Sequence, residues 1–362
     1  MRKNIVALIS FLILIVICLL LITCFNQNEI KNSSDKIQII ATLFPQYDFA
    51  KHIVGDKAEV KLLLNSGVET HNYEPTPKDM ITINNSDMFL YTGNDLEPWT
   101  ESIISSIEND CKIIDVSDKV ELIKIEEFEE RHINKLIWSE NETSNNQDNK
   151  IHNNEPHIDQ EDVEKEHVDE VDNNAQYVEN EHEGHNHSHG EIYDGHIWLD
   201  PRNAIQMVDN IAQAICELDP LNKEYYKQNA EKYKQEIMQL DTELEKIVDN
   251  AQTKEIAVGG EFAYAYLVER YGIDFVSVYN NCGDGEDPSI AKVKSVIDYM
   301  NNNDMKIVFY EELTEGTVAK MIAEETQAES LILYSIHNAD ISKDTYVSLF
   351  QKNIENLKTA LY

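Results

Sequence analysis

The sequence predicts an α/β fold of two lobes, each a parallel sheet flanked by helices, joined by one long rigid helix, with a ligand site in the cleft between them. Three observations carry this. Short β-rich runs alternate with helical ones from Lys36 onward, as they do where parallel strands are connected by helices. The alternation occurs as two similar series. Between them lies one uninterrupted amphipathic stretch of about eight turns. At 362 residues with 42% hydrophobic content, the chain is long enough to bury a core in each lobe.

The first series runs strand "KIQIIATLF", helix Gln46 to Val54 closed by Gly55, and strand "AEVKLLL". It continues with a helix from Lys78 after Pro77, strand "MFLYTG", a helix over Glu97 to Ile107 and strand "CKIID". "DGHIWLDP" follows after an interruption, and its Asp200 and Pro201 form an N-cap and first-turn pair that opens a helix through Leu218. Pro220 ends that helix. The long helix, Glu224 to Ala251, carries Tyr226, Ala230, Tyr233, Ile237, Leu240, Leu244 and Ile247 at three and four spacing, one apolar stripe. The second series is strand "EIAVGG", helix Phe262 to Tyr271, strand "DFVSVY" and a helix from Ser289. It closes with strand "KIVFY", helix Thr317 to Thr326, strand "SLILYSI" and helix Thr345 to Leu361. The expected boundaries are an N-terminal lobe over 36–222, a linker helix over 223–251 and a C-terminal lobe over 252–362. Open α/β sheets bind ligands beyond the carboxyl ends of their strands, and pockets favour interfaces, which places the site between the lobes.

Two segments stand outside this pattern. Arg2 and Lys3 followed by the apolar run Ile5 to Ile22 read as a signal peptide over residues 1–23. The run ends in L-I-T-C, which resembles a bacterial lipobox with Cys24 as the lipidated residue, and residues 24–35 form a polar tether. An uncleaved signal anchor is the alternative; on either reading the remainder lies outside the cytoplasm. Residues 141–190 lose all apolar periodicity and are read as a disordered insertion rich in Asn, Asp, Glu and His. It holds seven of the 12 histidines, with His182, His185, His187 and His189 clustered in "HEGHNHSH". Clustered imidazoles on a flexible acidic tether bind transition metals without fixed geometry, whereas a solvated acidic spacer would not need them.

The net charge of -37 argues against nucleic acid, which requires clustered Lys and Arg, and makes cations the natural partners. Of the five cysteines, Cys18 and Cys24 belong to the leader. Cys111, Cys216 and Cys282 have no metal-site spacing and are read as buried or free thiols. Outside the insertion, three histidines fall where a strand gives way to a loop or beside a helix start: His71 in "GVETHNYEPTP", His196 four residues before the Asp200 cap, and His337 in "YSIHN". Three such positions spread over both lobes point to ligands rather than to three unrelated loop residues.

Four motifs carry a resemblance to a known family. "GVETHNYEPTPKDM", "DGHIWLDP" and "FAYAYLVERYGI" resemble the first, second and third ligand segments of the ATP-binding-cassette solute-binding lipoproteins that take up zinc or manganese, and "TYVSLFQKNIENLKTAL" is similar to their last helix. The resemblance covers nearly all of 36–362 outside the insertion. It implies a metal set of His71, His196, Glu261 and a fourth residue in "SIHN", where His337 stands in place of the family's usual Asp and Asn338 is its neighbour. Glu69, Glu74 and Asp200 are substitutes, Asp200 being already explained as an N-cap. A carboxylate at a helix start would also be stabilised there by the helix dipole, which is the other reading of Glu261. Three imidazoles and one carboxylate suit four-coordinate zinc, while the Glu at 261 is the manganese-type choice, so Zn2+ is expected and Mn2+ is the alternative cargo. The resemblance further implies a monomer, held outside the cell membrane by its lipid, that hands metal to a permease and its ATPase.

Other classes have less support. A zinc hydrolase needs an open coordination position; a fourth protein ligand closes it, and neither H-E-x-x-H nor a nucleophile motif occurs, so an enzyme is not expected. A surface adhesin, a role described for some relatives, has no sequence feature of its own here.

Overall fold

The computed structural model describes residues 36–132 and 192–362, apart from 65, 66, 69, 71, 72, 280–287 and 313. The leader with Cys24, the insertion with His182, His185, His187 and His189, and the residues His71, Glu69 and Cys282 lie outside the described residues. The chain divides into two compact units, residues 1–123 with 194–362, and residues 124–193. In the second unit Lys124 and Tyr193 form an antiparallel bridge and 125–132 is helical. Both sheets belong to the first unit.

The first sheet contains β1 (Ile37–Ala41), β2 (Ala58–Leu62), β3 (Met88–Tyr91) and β4 (Lys112–Asp115) in the order β2-β1-β3-β4, all parallel. Helices α1 (Phe44–Val54), α2 (Pro77–Asn84) and α3 (Thr100–Ser106) connect them. The second sheet contains β5 (Glu255–Val258), β6 (Asp274–Ser277), β7 (Ile307–Tyr310) and β8 (Glu329–Ile332) in the order β6-β5-β7-β8, again all parallel. Counted from its first strand, each sheet has the same order. Central strands buried on both faces require continuous apolar runs, and Ile39, Ile40, Met88, Phe89, Leu90, Ile256, Ala257, Val258, Val308 and Phe309 supply them.

Helix α4 (Pro201–Leu218) opens as its sequence predicts, with Asp200 as N-cap accepting from Arg202 N at 2.8 Å. Helix α5 (Lys223–Asp249) is the long one. All seven predicted stripe residues are buried. Burying one such side chain contributes about 1.5–3 kcal/mol, against about 0.3–0.5 kcal/mol for an exposed pair such as Lys232–Glu236. The apolar stripe therefore sets the seat of α5, which packs against α4, α1 and α9 (Tyr346–Leu361). Helices α6 (Ala265–Tyr271), α7 (Ile290–Asn302) and α8 (Thr317–Thr326) complete the second sheet's cover.

Buried polar side chains tie the two sheets' helices together. Asp48 on α1 accepts from Tyr233 Oη on α5 and from Tyr346 N, the first residue of α9, at 3.1 Å. Asp241 on α5 accepts from Arg202 Nε on α4 at 3.0 Å and from Tyr271 Oη on α6 at 3.0 Å. Leaving either carboxylate buried without its donors would cost about 1–3 kcal/mol or more, so the halves are held in one arrangement.

Several elements begin or end away from their predicted bounds, among them α3, α6, β8 and α1, which begins at Phe44 inside the predicted first strand. Helix α3 starts at Thr100, not Glu97, because the Glu97 carboxylate turns inward and accepts from Thr92 N at 2.7 Å. Helix α6 starts at Ala265, not Phe262, with Tyr264 at its N-cap, whose carbonyl accepts from Val268 N at 2.9 Å. Strand β8 ends at Ile332, not Ile336: Leu333 N still goes to Tyr310 O at 2.9 Å, but beyond it the backbone N–H groups go to side chains, Tyr334 N to Asn353 Oδ1 at 2.7 Å and Ser335 N to Glu312 Oε2 at 2.8 Å. That early end creates the loop carrying His337.

Candidate metal centre

His196 sits at the N-cap of a 3-10 turn, Ile197–Leu199, and is 3% exposed. Two residues earlier, Asp194 Oδ1 accepts from His196 N at 2.7 Å and faces His196 Nδ1 at 3.1 Å. A carboxylate can only accept, so the Nδ1 proton is held there and the ring's lone pair is on Nε2, the arrangement seen in carboxylate-oriented metal histidines. Gly195 is needed between them: a Cβ there would lie 2.2 Å from Leu96 Cβ. The neighbouring Trp198 donates Nε1–H to Ser335 O at 2.7 Å, and its own carbonyl accepts from Tyr346 Oη at 2.7 Å. This fixes the His196 loop against the loop after β8.

His337 lies on that second loop and is 9% exposed. Its Nδ1 is 2.6 Å from Ser335 Oγ, and its carbonyl accepts from Phe44 N at the start of α1 at 3.3 Å. The residue between, Ile336, is fully buried with φ of 63°. A β-branched side chain in the left-handed region carries about 1–3 kcal/mol of strain, so the surroundings must enforce this turn.

The structure brings His196 and His337 together from opposite lobes, with ring centroids 6.1 Å apart and planes at 57°. Two imidazoles bound tetrahedrally to one zinc through nitrogens at 2.0–2.1 Å would have centroids about 5 Å apart. The observed pair is about 1 Å wider than that.

Glu261 is placed just beyond the carboxyl end of β5, partly exposed, four residues before α6 begins. The helix-start reading of Glu261 is thereby overturned, since it lies outside the first turn of α6. A carboxylate absent from the sequence-based set stands beside it. Glu311, 9% exposed, follows β7, and its Oε2 would be 1.9 Å from a Cβ at Gly260, so its carboxylate occupies the space a side chain before Glu261 would take. Burial pushes the Glu311 carboxyl above its ordinary range, and the negative charges of Glu261 and Glu312 push it further. Asp200 serves as the α4 cap, and burial raises its carboxyl to about 6.

Among the described residues, no three His, Cys, Asp or Glu side chains are grouped closely enough to hold an ion. His196 and His337 thus form a convergent pair, and His71 lies outside what is described. The described residue three positions before it, Val68, accepts from Asn338 Nδ2 at 3.3 Å, next to His337. Cys111 and Cys216 are free thiols, as expected from their spacing.

Residues 39–360 match the family described as zinc-uptake complex component A, periplasmic (ZnuA). The chain belongs to this family. The family consists of solute-binding transport proteins, and zinc is its cargo. Among relatives, the chain is 28% identical over 97% of its length and 97% of the other's to the high-affinity zinc uptake system protein ZnuA of Bacillus subtilis. It is 26% identical over 97% of its length to the zinc-binding lipoprotein AdcA of Streptococcus pneumoniae, of which it spans 60%. Among solved structures, the metal-dependent lipoprotein YcdH of Bacillus subtilis superposes with a TM-score of 0.65 at 26% identity, covering 90% of this chain and 99% of that one. The resemblance read from the ligand motifs and the two-lobed α/β fold are both borne out.

Asp194 was within reach of sequence reasoning, since it stands two residues before His196 in D-G-H. Ser335 stands two residues before His337 in S-I-H in the same way, whereas Glu311 and Glu312 had no such signal and meet the site only once β7 and β8 lie side by side.

Proposed function

We propose that the chain captures one zinc ion between His196 and His337, completed by Glu261 and His71, and delivers it to a membrane permease powered by an ATPase. The observation that carries this is the convergence of two buried imidazoles from different lobes, each with its Nδ1 side already engaged. Three imidazoles and one carboxylate match zinc, and a set closed by four protein ligands suits carriage rather than hydrolysis. Manganese, which prefers more oxygen, is the weaker fit to a set with His337 in it. The interlobe ties through Asp48, Asp241 and Trp198 support closure of the rings by about 1 Å over a wide hinge motion. Cys24 would anchor the chain by lipid to the outer face of the membrane, and the histidines at 182, 185, 187 and 189 would collect metal near the His196 loop.

The test separates site from insertion. In the full chain with His182, His185, His187 and His189 replaced by serine, one zinc should still bind tightly in competition with a chelator. His71→Ala in that background should abolish tight binding. Unchanged zinc affinity would remove His71 from the site.

A further inference from the structure

We infer that Glu312 is a positioning residue for the metal site: through Ser335 it sets the tautomer and the aim of the His337 imidazole. This deepens the reading of His337 as a ligand and rests on it. The Glu312 carboxylate accepts three hydrogen bonds, all from the loop that carries His337. Its Oε2 accepts from Ser335 N at 2.8 Å, and its Oε1 accepts from Ile336 N at 3.0 Å and from Ser335 Oγ at 3.0 Å.

The hydroxyl has only one proton. If it is donated to Glu312, Ser335 Oγ faces His337 Nδ1 at 2.6 Å as an acceptor, and the Nδ1 proton must lie between them. The lone pair then resides on Nε2. A carboxylate therefore fixes the His337 tautomer at one remove, where Asp194 does so directly for His196. The same three bonds hold Ile336 at its left-handed φ of 63°, which an isoleucine would otherwise leave. An amide cannot substitute for this carboxylate. It offers one oxygen to three donors and turns an NH2 group toward at least one of them.

Glu312 also couples two strands. It follows β7, while the loop it holds follows β8, the neighbouring edge strand. Aim of the ligand is thus coupled to strand pairing rather than to the loop's own sequence.

The experiment uses the full chain with the insertion histidines at 182, 185, 187 and 189 replaced by serine, in four forms: otherwise unchanged, Ser335→Ala, Glu312→Gln and His337→Ala. Imidazole 15N chemical shifts of the metal-free protein report the His337 tautomer, and competition titration reports zinc affinity. The expected results are an Nδ1–H tautomer in the parent and a shift toward Nε2–H in Ser335→Ala. Zinc affinity should fall about 10–100-fold in Ser335→Ala and further in Glu312→Gln, which also releases the turn. Should Glu312→Gln fail to fold, Glu312→Asp, which retracts the carboxylate by one methylene, takes its place with the same expectation. Parent-like tautomer and affinity in Ser335→Ala and in the Glu312 variant, with affinity lost in His337→Ala, would overturn the positioning role and leave the ligand reading standing. Full affinity in His337→Ala would overturn both.

Discussion

The two central histidines are aimed by different means. His196 takes its orientation from Asp194, two residues before it, within a loop closed by a single obligatory glycine. His337 takes its orientation from Glu312, 25 residues before it, through a serine and a strained turn. The first device is local and rigid by covalent proximity. The second depends on the pairing of β7 with β8, so it is complete only when the C-terminal sheet has formed. The aim of His196 is therefore set within its own loop, and that of His337 is conditional on the C-terminal sheet.

Removing either ring has the largest expected effect. His196→Ala and His337→Ala should each lower zinc affinity by more than about 100-fold, because altering a metal histidine's outer partner alone costs about 10–100-fold. A chelator-competition titration checks this, and a large loss in one variant with none in the other would show that the two rings do not share an ion.

A smaller effect is expected when only the local device is removed. Asp194→Ala should reduce zinc affinity about 10–100-fold while leaving the melting temperature within a few degrees. Its loss should not alter the His337 imidazole shifts. Equal disturbance of both rings would mean that the two rings are aimed as one unit and not by separate devices.

A further effect, which leaves zinc affinity unchanged, concerns stability alone and lies in the N-terminal sheet. Burial raises the Glu97 carboxyl from its ordinary 4.5 to about 8, so the folded chain keeps a proton there that the unfolded chain has lost. Its contribution is fully present below pH 4.5 and is lost as pH rises toward 8, because the folded state binds more protons in that window. Glu97→Gln should flatten the fall in unfolding free energy between those pH values, as measured by denaturant titration. An unchanged slope would show that Glu97 is ionised in the folded protein.

Much of the fold was legible because each element carried its own local signal. The α5 stripe from Tyr226 to Ile247 has the helical period, Asp200–Pro201 is a cap and first turn, and Ser289 and Thr345 are N-caps directly before α7 and α9. The proposed site was legible as far as its candidate ligands lie in recognisable motifs, as His196 and Glu261 do. What was not legible depends on residues meeting across the sheet. The inward turn of Glu97 delays α3, and the capture of Ser335 and Ile336 by Glu312 ends β8 early. Each is a polar side chain replacing a backbone partner, and no periodicity in one strand announces it.

The shared ion is tested most directly by zinc K-edge X-ray absorption on the full chain with His182, His185, His187 and His189 replaced by serine and one equivalent of zinc bound. Three imidazoles and one oxygen ligand are predicted, with nitrogens at about 2.0–2.1 Å, falling to two imidazoles in His337→Ala. An all-oxygen shell, or an imidazole count that does not change in His337→Ala, would contradict the account.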